Sequence, residues 1–280
     1  MSKIRAACIQ MRSGVDVMPN IAMASRLIRE ATGQGASFIA TPEMTNLLDI
    51  RPGMARPKLV AQDDDAALAA LRALAGELGI WLLIGSIAVR VEGEDRFANR
   101  SFLIGPDRAI RARYDKIHMF DVEVGDGQSY RESRAYRPGG SAVLADTDFG
   151  TVGMTICYDV RFPHLYRQLA QAGASILTVP AAFTRVTGEA HWHVLLRARA
   201  IETGCFVVAP AQGGRHEDGR ETFGHSLIIS PWGEILAEAN GDEPGVIWAD
   251  LNLEEVEMAR RRIPSLGNDQ AFGLNSSGKD

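Results

Sequence analysis

The chain has 280 residues, 46% apolar and 23% charged, the balance of a soluble globular protein long enough for one large core or two small domains. A formal charge of −5 offers no basic field for nucleic acid or an anionic membrane, and Gly or charge breaks every apolar run before the ~18 residues of a spanning helix. Cys8, Cys157 and Cys205 are odd in number, far apart and without a C-x-x-C pair, which argues against a disulfide framework or thiolate zinc site and for a reducing, cytoplasmic setting.

Met1-Ser2-Lys3-Ile4-Arg5 runs into a strand-like segment without the apolar stretch of a signal peptide. Ile4–Gln10 predicts a buried strand. Asn20 is placed to cap a helix over Ile21–Ala31, where Ile21, Ala24, Leu27, Ile28 and Ala31 recur at helical spacing, and Gly33 and Gly35 stop it. Ser37–Ala40 reads as a strand. Asp63-Asp64-Asp65 puts negative charge at the start of a helix over Ala66–Leu78, closed by Gly79. Ile80–Ile84 is a further buried strand. Ile87–Val91, Ser101–Ile104 and Ala109–Tyr114 then read as consecutive strands joined by polar turns.

Residues 115–140 have weak periodicity, and a stretch that long is often functional when ordered. Beyond it come strands at Ala142–Thr147 and Thr151–Ile156, a helix at Pro163–Ala172, a strand at Ser175–Val179, a helix at Glu189–Glu202 and a strand at Cys205–Pro210. Strands near His225–Ser230, Glu234–Glu238 and Gly245–Asp250 and a helix at Leu253–Arg261 complete the pattern. No linker, repeat or low-complexity tract divides the chain. Residues 1–266 are therefore expected to form a single domain and 267–280 a tail, loose over its last eight residues. Runs of strands without helices imply more than one sheet. Two packed sheets with outer helices fit better than a doubly wound nucleotide fold, because neither G-x-G-x-x-G nor G-x-x-x-x-G-K-[ST] follows a strand.

Four segments hold ionisable residues in apolar or turn-like settings. Glu43 follows an apolar strand behind Pro42, and strand C-termini in α/β sheets gather active-site residues. Lys116 and His118 lie among aromatic and apolar neighbours. Cys157 ends an apolar strand before a turn, with Pro163 opening the next helix. A nucleophile on such a turn is exposed and rigidly held, and nearby N–H groups and positive charge lower a thiol pKa. Cys8 and Cys205 read instead as small core residues. Gly188–His193 contains two histidines, but only Glu189 and His193 share a helix face and the spacing is not H-E-x-x-H, so no catalytic metal is expected. Spacing alone leaves open whether Cys157 works with one of the six histidines or with Glu and Lys.

T-P-E-M at 41–44, Y-D-K-I-H at 114–118 and C-Y-D-V-R-F-P at 157–163 resemble, in order and interval, the Glu, Lys and Cys signatures of the nitrilase superfamily of carbon–nitrogen hydrolases. The resemblance runs from about Lys3 to Leu266. It implies a four-layer α-β-β-α sandwich, no cofactor, and a homodimer packed through helices that include the one after Cys157. It implies Cys157 as nucleophile, Glu43 as general base and acid, and Lys116 as stabiliser of the tetrahedral intermediate. It also implies Glu132 as the residue orienting Lys116 and the substrate amide, with Glu123 a nearer rival in sequence. The backbone N–H of Tyr158 is the natural second oxyanion donor.

Residues 181–203, A-Q-G-G-R-H at 211–216 and G-H-S at 224–226 resemble the branch that includes deaminated glutathione amidases, with related omega-amidases sharing much of the pattern. That resemblance implies a small amide substrate carrying a 2-oxo acid, with Arg161 as its carboxylate partner and Phe183, His191 and Trp192 at the pocket. His193 and His164 stand where the family more often has Glu. The reaction expected is cleavage of deaminated glutathione to 2-oxoglutarate and cysteinylglycine. Hydrolysis of 2-oxoglutaramate or of an N-carbamoyl amino acid is the alternative, and outside that chemistry a zinc hydrolase or a non-catalytic scaffold.

Overall fold

The computed structural model describes residues 3–51, 53–124 and 129–275. Its first half runs β1 (Lys3–Gln10), α1 (Val17–Gly33), β2 (Phe38–Ala40), α2 (Ala66–Leu78), β3 (Trp81–Val89), β4 (Ala98–Ile104) and β5 (Ile110–Asp115). A short hairpin follows, β6 (Asp121–Glu123) and β7 (Ser129–Arg131). The second half runs β8 (Val143–Asp146), β9 (Thr151–Met154), α3 (Pro163–Gln171), β10 (Ile176–Thr178), α4 (Arg185–Thr203) and β11 (Phe206–Ala209). The hairpin β12 (Gly213–Arg215) and β13 (Glu221–Phe223) comes next, then β14 (Leu227–Ile229), β15 (Ile235–Glu238), β16 (Gly245–Asn252) and α5 (Glu254–Arg262).

Two six-stranded sheets result, ordered β16-β1-β2-β3-β4-β5 and β15-β14-β11-β10-β9-β8. Each has three parallel strands at its centre, β1-β2-β3 or β9-β10-β11, with antiparallel strands outside them. Strand alternation builds the layers. On β1, Ala6 and Cys8 face the second sheet's core, while Ala7 and Ile9 face α1 and α2. On β3, Trp81 and Leu83 take the first direction and Leu82 and Ile84 the second. Helices α3 and α4 cover the outer face of the second sheet through Leu165, Leu169, Trp192 and Leu196. The architecture is the expected α-β-β-α sandwich.

Several local expectations are corrected. Helix α1 starts at Val17, so Asn20 lies inside it. The Asn20 carboxamide donates to the carbonyls of Gly14 (2.9 Å) and Asn46 (3.0 Å) and accepts from the Gly14 N–H (2.8 Å), fastening two loops instead of capping its own helix. Helix α2 is capped as charge predicts: Asp65 accepts from the Leu68 N–H at 2.8 Å, and Gly79 closes it in the left-handed region. The segments 80–84 and 87–91 are one strand with an irregularity between Ile84 and Ile87. Gly85 sits in that irregularity because a Cβ there would collide with the carbonyl oxygens of Thr41 and Pro42, directly before Glu43. Helix α4 begins four residues before Glu189, capped by Thr184. The tail is held as far as Asp269, which accepts from the Gln171 carboxamide at 2.6 Å; residues 276–280 lie outside the described ones.

Candidate active site

The segments following β2, β5, β9 and β10 meet at one end of the sandwich, and the side chains they carry line a cavity of about 520 Å³. Glu43, Lys116, Glu132 and Cys157 all line it, with Tyr158 and Phe183. The turn at Cys157 is tight. Its φ is 50°, a left-handed value uncommon outside glycine, and its N–H is tied to the Pro180 carbonyl at 2.9 Å. Asp159 fixes the turn: it accepts from the Ile156 N–H (2.9 Å), the Tyr114 hydroxyl (2.6 Å) and the His118 N–H (3.1 Å). The turn that carries Cys157 is thereby locked to the segment that carries Lys116.

Lys116 is fully enclosed and donates to Glu43 Oε1 at 2.9 Å and to both Glu132 oxygens at 3.0 and 2.9 Å. Glu43 Oε2 accepts from the Ala182 N–H at 2.9 Å. Glu132 accepts from the Phe120 N–H at 2.7 Å. Asn99, which the sequence reading missed, donates from Nδ2 to Glu43 (2.9 Å) and toward Glu132 (3.3 Å), so one amide spaces the two carboxylates. Gln212 supports the Glu43 main chain, donating to its carbonyl at 3.0 Å. Asn99 belongs to no motif with a chemical signature, and Gln212 stands in A-Q-G-G-R-H at 211–216, whose resemblance gave it no role at the site; the fold brings both here. Glu123 lies instead on the exposed hairpin, paired with Arg131 at 2.8 Å.

Burial alone would raise the Glu43 pKa, but the charge and hydrogen bond of Lys116 outweigh it and hold the carboxyl below its ordinary range. Burial would lower Lys116, yet Glu132 and Glu43 push it well above the usual lysine value. Cys157 is pushed well above the ordinary thiol value, by burial first and then by the Glu43 charge, against the opposing pull of Lys116 and the Ala182 N–H. The expected lowering of the thiol is thus reversed. A site already holding two carboxylates and one ammonium resists a second net negative charge. Both directions favour a neutral thiol beside an ionised Glu43.

No histidine lines the cavity among the described residues. His118 stacks on Phe162 with ring centroids 3.5 Å apart and pairs with Asp159. Arg161, His191 and Trp192 do not line it either. Arg161 meets His191 Nδ1 at 3.3 Å and packs over the rings of Tyr158 and Phe183, which do line the cavity. Trp192 is a core residue packed on Phe183, its indole N–H donating to the His225 carbonyl at 2.8 Å. Arg220 does line the cavity, donating to the Ala182 carbonyl at 2.7 Å while its buried Nε has no partner among the described residues.

Residues 5–261 match the family model described as carbon-nitrogen hydrolase. A deaminated glutathione amidase from Synechocystis sp. is 42% identical over 274 residues, covering 95% of this chain and 98% of that protein. The crystal structure of the C. elegans NitFhit protein superposes with a TM-score of 0.88 at 32% identity, covering 96% of this chain and 66% of that longer one. An amidase from Nesterenkonia sp. AN1, whose active-site cysteine carries acrylamide added by Michael addition, superposes at 0.78 with 26% identity, covering 93% of this chain and 98% of that one. The chain belongs to the carbon-nitrogen hydrolase family of the nitrilase superfamily.

Proposed function

We propose that this amidase hydrolyses the side-chain amide of deaminated glutathione through a thioester on Cys157. The observation that carries the mechanism is the enclosure of Cys157, Glu43, Lys116 and Glu132 in one cavity, with the ammonium bonded to both carboxylates. The Cys157 sulfur attacks the amide carbon as its proton passes to Glu43. Lys116 donates to Glu43 and to both Glu132 oxygens, so yielding one of its two Glu132 contacts turns an N–H to the oxygen that gains charge, with the Tyr158 N–H as the other donor. Collapse expels the amine of cysteinylglycine, protonated by Glu43. Water then attacks the thioester, giving its proton to Glu43, which returns it to sulfur as 2-oxoglutarate leaves.

For the 2-oxo acid carboxylate the candidate partners are two guanidiniums, one lining the cavity and one behind its wall. Arg220 lines the cavity and its buried Nε has no partner among the described residues, and we assign it the role together with Arg161, which packs behind the rings of Tyr158 and Phe183. His191 holds Arg161 and Trp192 backs Phe183, so both act through those neighbours. The relatives' names favour deaminated glutathione over 2-oxoglutaramate. Comparing kcat/KM on the two amides tests this: a much higher value on 2-oxoglutaramate overturns the assignment in favour of omega-amidase activity. We further propose a cytoplasmic homodimer packed through α3 and α4, where Val194 and Ile201 stand exposed at 69% and 52%. No described helix is long and apolar enough to cross a membrane.

A further inference from the structure

A second convergence of side chains lies away from the cavity. His193 on α4, His225 just before β14 and Glu238 at the end of β15 each point one ligand atom inward, and these atoms all lie within 4.8 Å of one another. His193 Nε2 is 2.9 Å and His225 Nδ1 2.8 Å from the same oxygen, Glu238 Oε1. None of the three lines the catalytic cavity. Their placement is enforced from several elements. Phe223 stacks on the His225 ring at 4.4 Å and meets His193 edge-on at 5.9 Å. His225 has a left-handed φ of 51°, and its carbonyl is pinned by the Trp192 indole. The side chains remain 29–37% exposed, so one side of the cluster faces solvent.

We propose that His193, His225 and Glu238 bind a divalent transition cation, with Zn²⁺ the best match to the donors. Two imidazoles and a carboxylate form a borderline donor set that suits Zn²⁺, and three protein ligands leave a fourth, water-filled position. A hard cation such as Mg²⁺ or Ca²⁺ wants more oxygens than the one carboxylate here. Without metal, both ring nitrogens donate N–H to the Glu238 carboxylate. On binding, those nitrogens must be unprotonated, so each neutral ring carries its proton on the other nitrogen and an imidazolium would release one to solvent. The ion would clamp α4, whose N-terminus carries Thr184 and Thr187 of the cavity wall, to the edge of the second sheet.

The test uses tag-free, full-length protein with Cys157→Ser as background, so that ligation by the nucleophile is not mistaken for this site. Titration with Co²⁺, followed by visible absorbance, is expected to show one ion per chain with the intense bands of a four-coordinate centre, displaced by Zn²⁺. His193→Ala and His225→Ala should each weaken binding by about tenfold or more, the loss that even a change beyond the ligands brings. In protein retaining Cys157, Zn²⁺ at a hundredfold excess over Kd should raise the unfolding temperature by about 5 °C, and both variants should lose that shift while hydrolysing amide at the parent rate. Absence of Co²⁺ binding, or binding unchanged in both histidine variants, overturns the proposal and leaves a hydrogen-bonded triad.

Discussion

Lys116 is the charge on which its two carboxylate neighbours depend. Its replacement by Met would leave Glu43 and Glu132 buried without their counter-ion, a loss on the order of 3–5 kcal/mol of stability from breaking a buried pair. Activity should fall at least a hundredfold, and paired urea-unfolding and rate measurements separate the two effects. The pH profile reads the same constellation. Glu43 is lowered from 4.5 by Lys116 despite its burial, and Cys157 is raised from 9.0 by burial and the Glu43 charge. The kcat/KM profile of the folded enzyme is therefore expected to be flat between those ordinary values. An inflection near neutrality would assign an imidazole to catalysis and contradict the Cys–Glu–Lys account. Of these residues, Glu43, Lys116, Glu132 and Cys157 were legible as motif positions, and the structure brings all four together. Asn99 was not, because an amide on a buried strand carries no signature until two carboxylates fold against it.

At the scale of elements, turns and not strands decide where the chemistry sits. Asp159 accepts from donors on two segments, and an amide in its place would offer one acceptor atom and turn an N–H toward them. Asp159→Asn is expected to cost about 1–3 kcal/mol for a donor left unsatisfied and to lower kcat, read by urea unfolding beside the rate. Gly85→Ala should act on Glu43 from a distance, because its Cβ has no room against the Thr41 and Pro42 carbonyls. Loss of activity with intact helical circular dichroism is the expected result. Strand alternation and helical spacing gave the element order well, since burial imposes those periods on β1, β3, α1 and α2. The starts of α1 and α4 were misplaced for a physical reason. Asn20 spends its amide on loop backbone, and Thr184 caps a first turn that shows no apolar stripe. The hairpins β6–β7 and β12–β13 were missed because their short strands (DVE, SYR, GGR, ETF) carry no apolar run, unlike the equally short β2, β10 and β14.

On the scale of the molecule, the site exists only where two sheets meet. Glu43 and Lys116 follow strands of one sheet, and Cys157 and Ala182 follow strands of the other. Loosening that packing should cost activity before it costs secondary structure. Acid supplies one route. His216 is buried between the Ser13 carbonyl and Thr222, and desolvation lowers its pKa from 6.5 to about 4. Stability from this group is complete above 6.5 and is lost as pH falls toward 4, because the unfolded chain takes up the proton first. The shift corresponds to about 3 kcal/mol, and His216→Gln should flatten the fall in unfolding free energy across that window. Light scattering should return twice the chain mass, and Val194→Glu should halve it if α4 forms the dimer face.

The most direct measurement is mass spectrometry of the enzyme quenched during turnover of deaminated glutathione. A 2-oxoglutaryl group on the peptide containing Cys157, absent from Cys157→Ala, is the predicted result. Undiminished turnover in Cys157→Ala, or the acyl group on another side chain, would contradict the account.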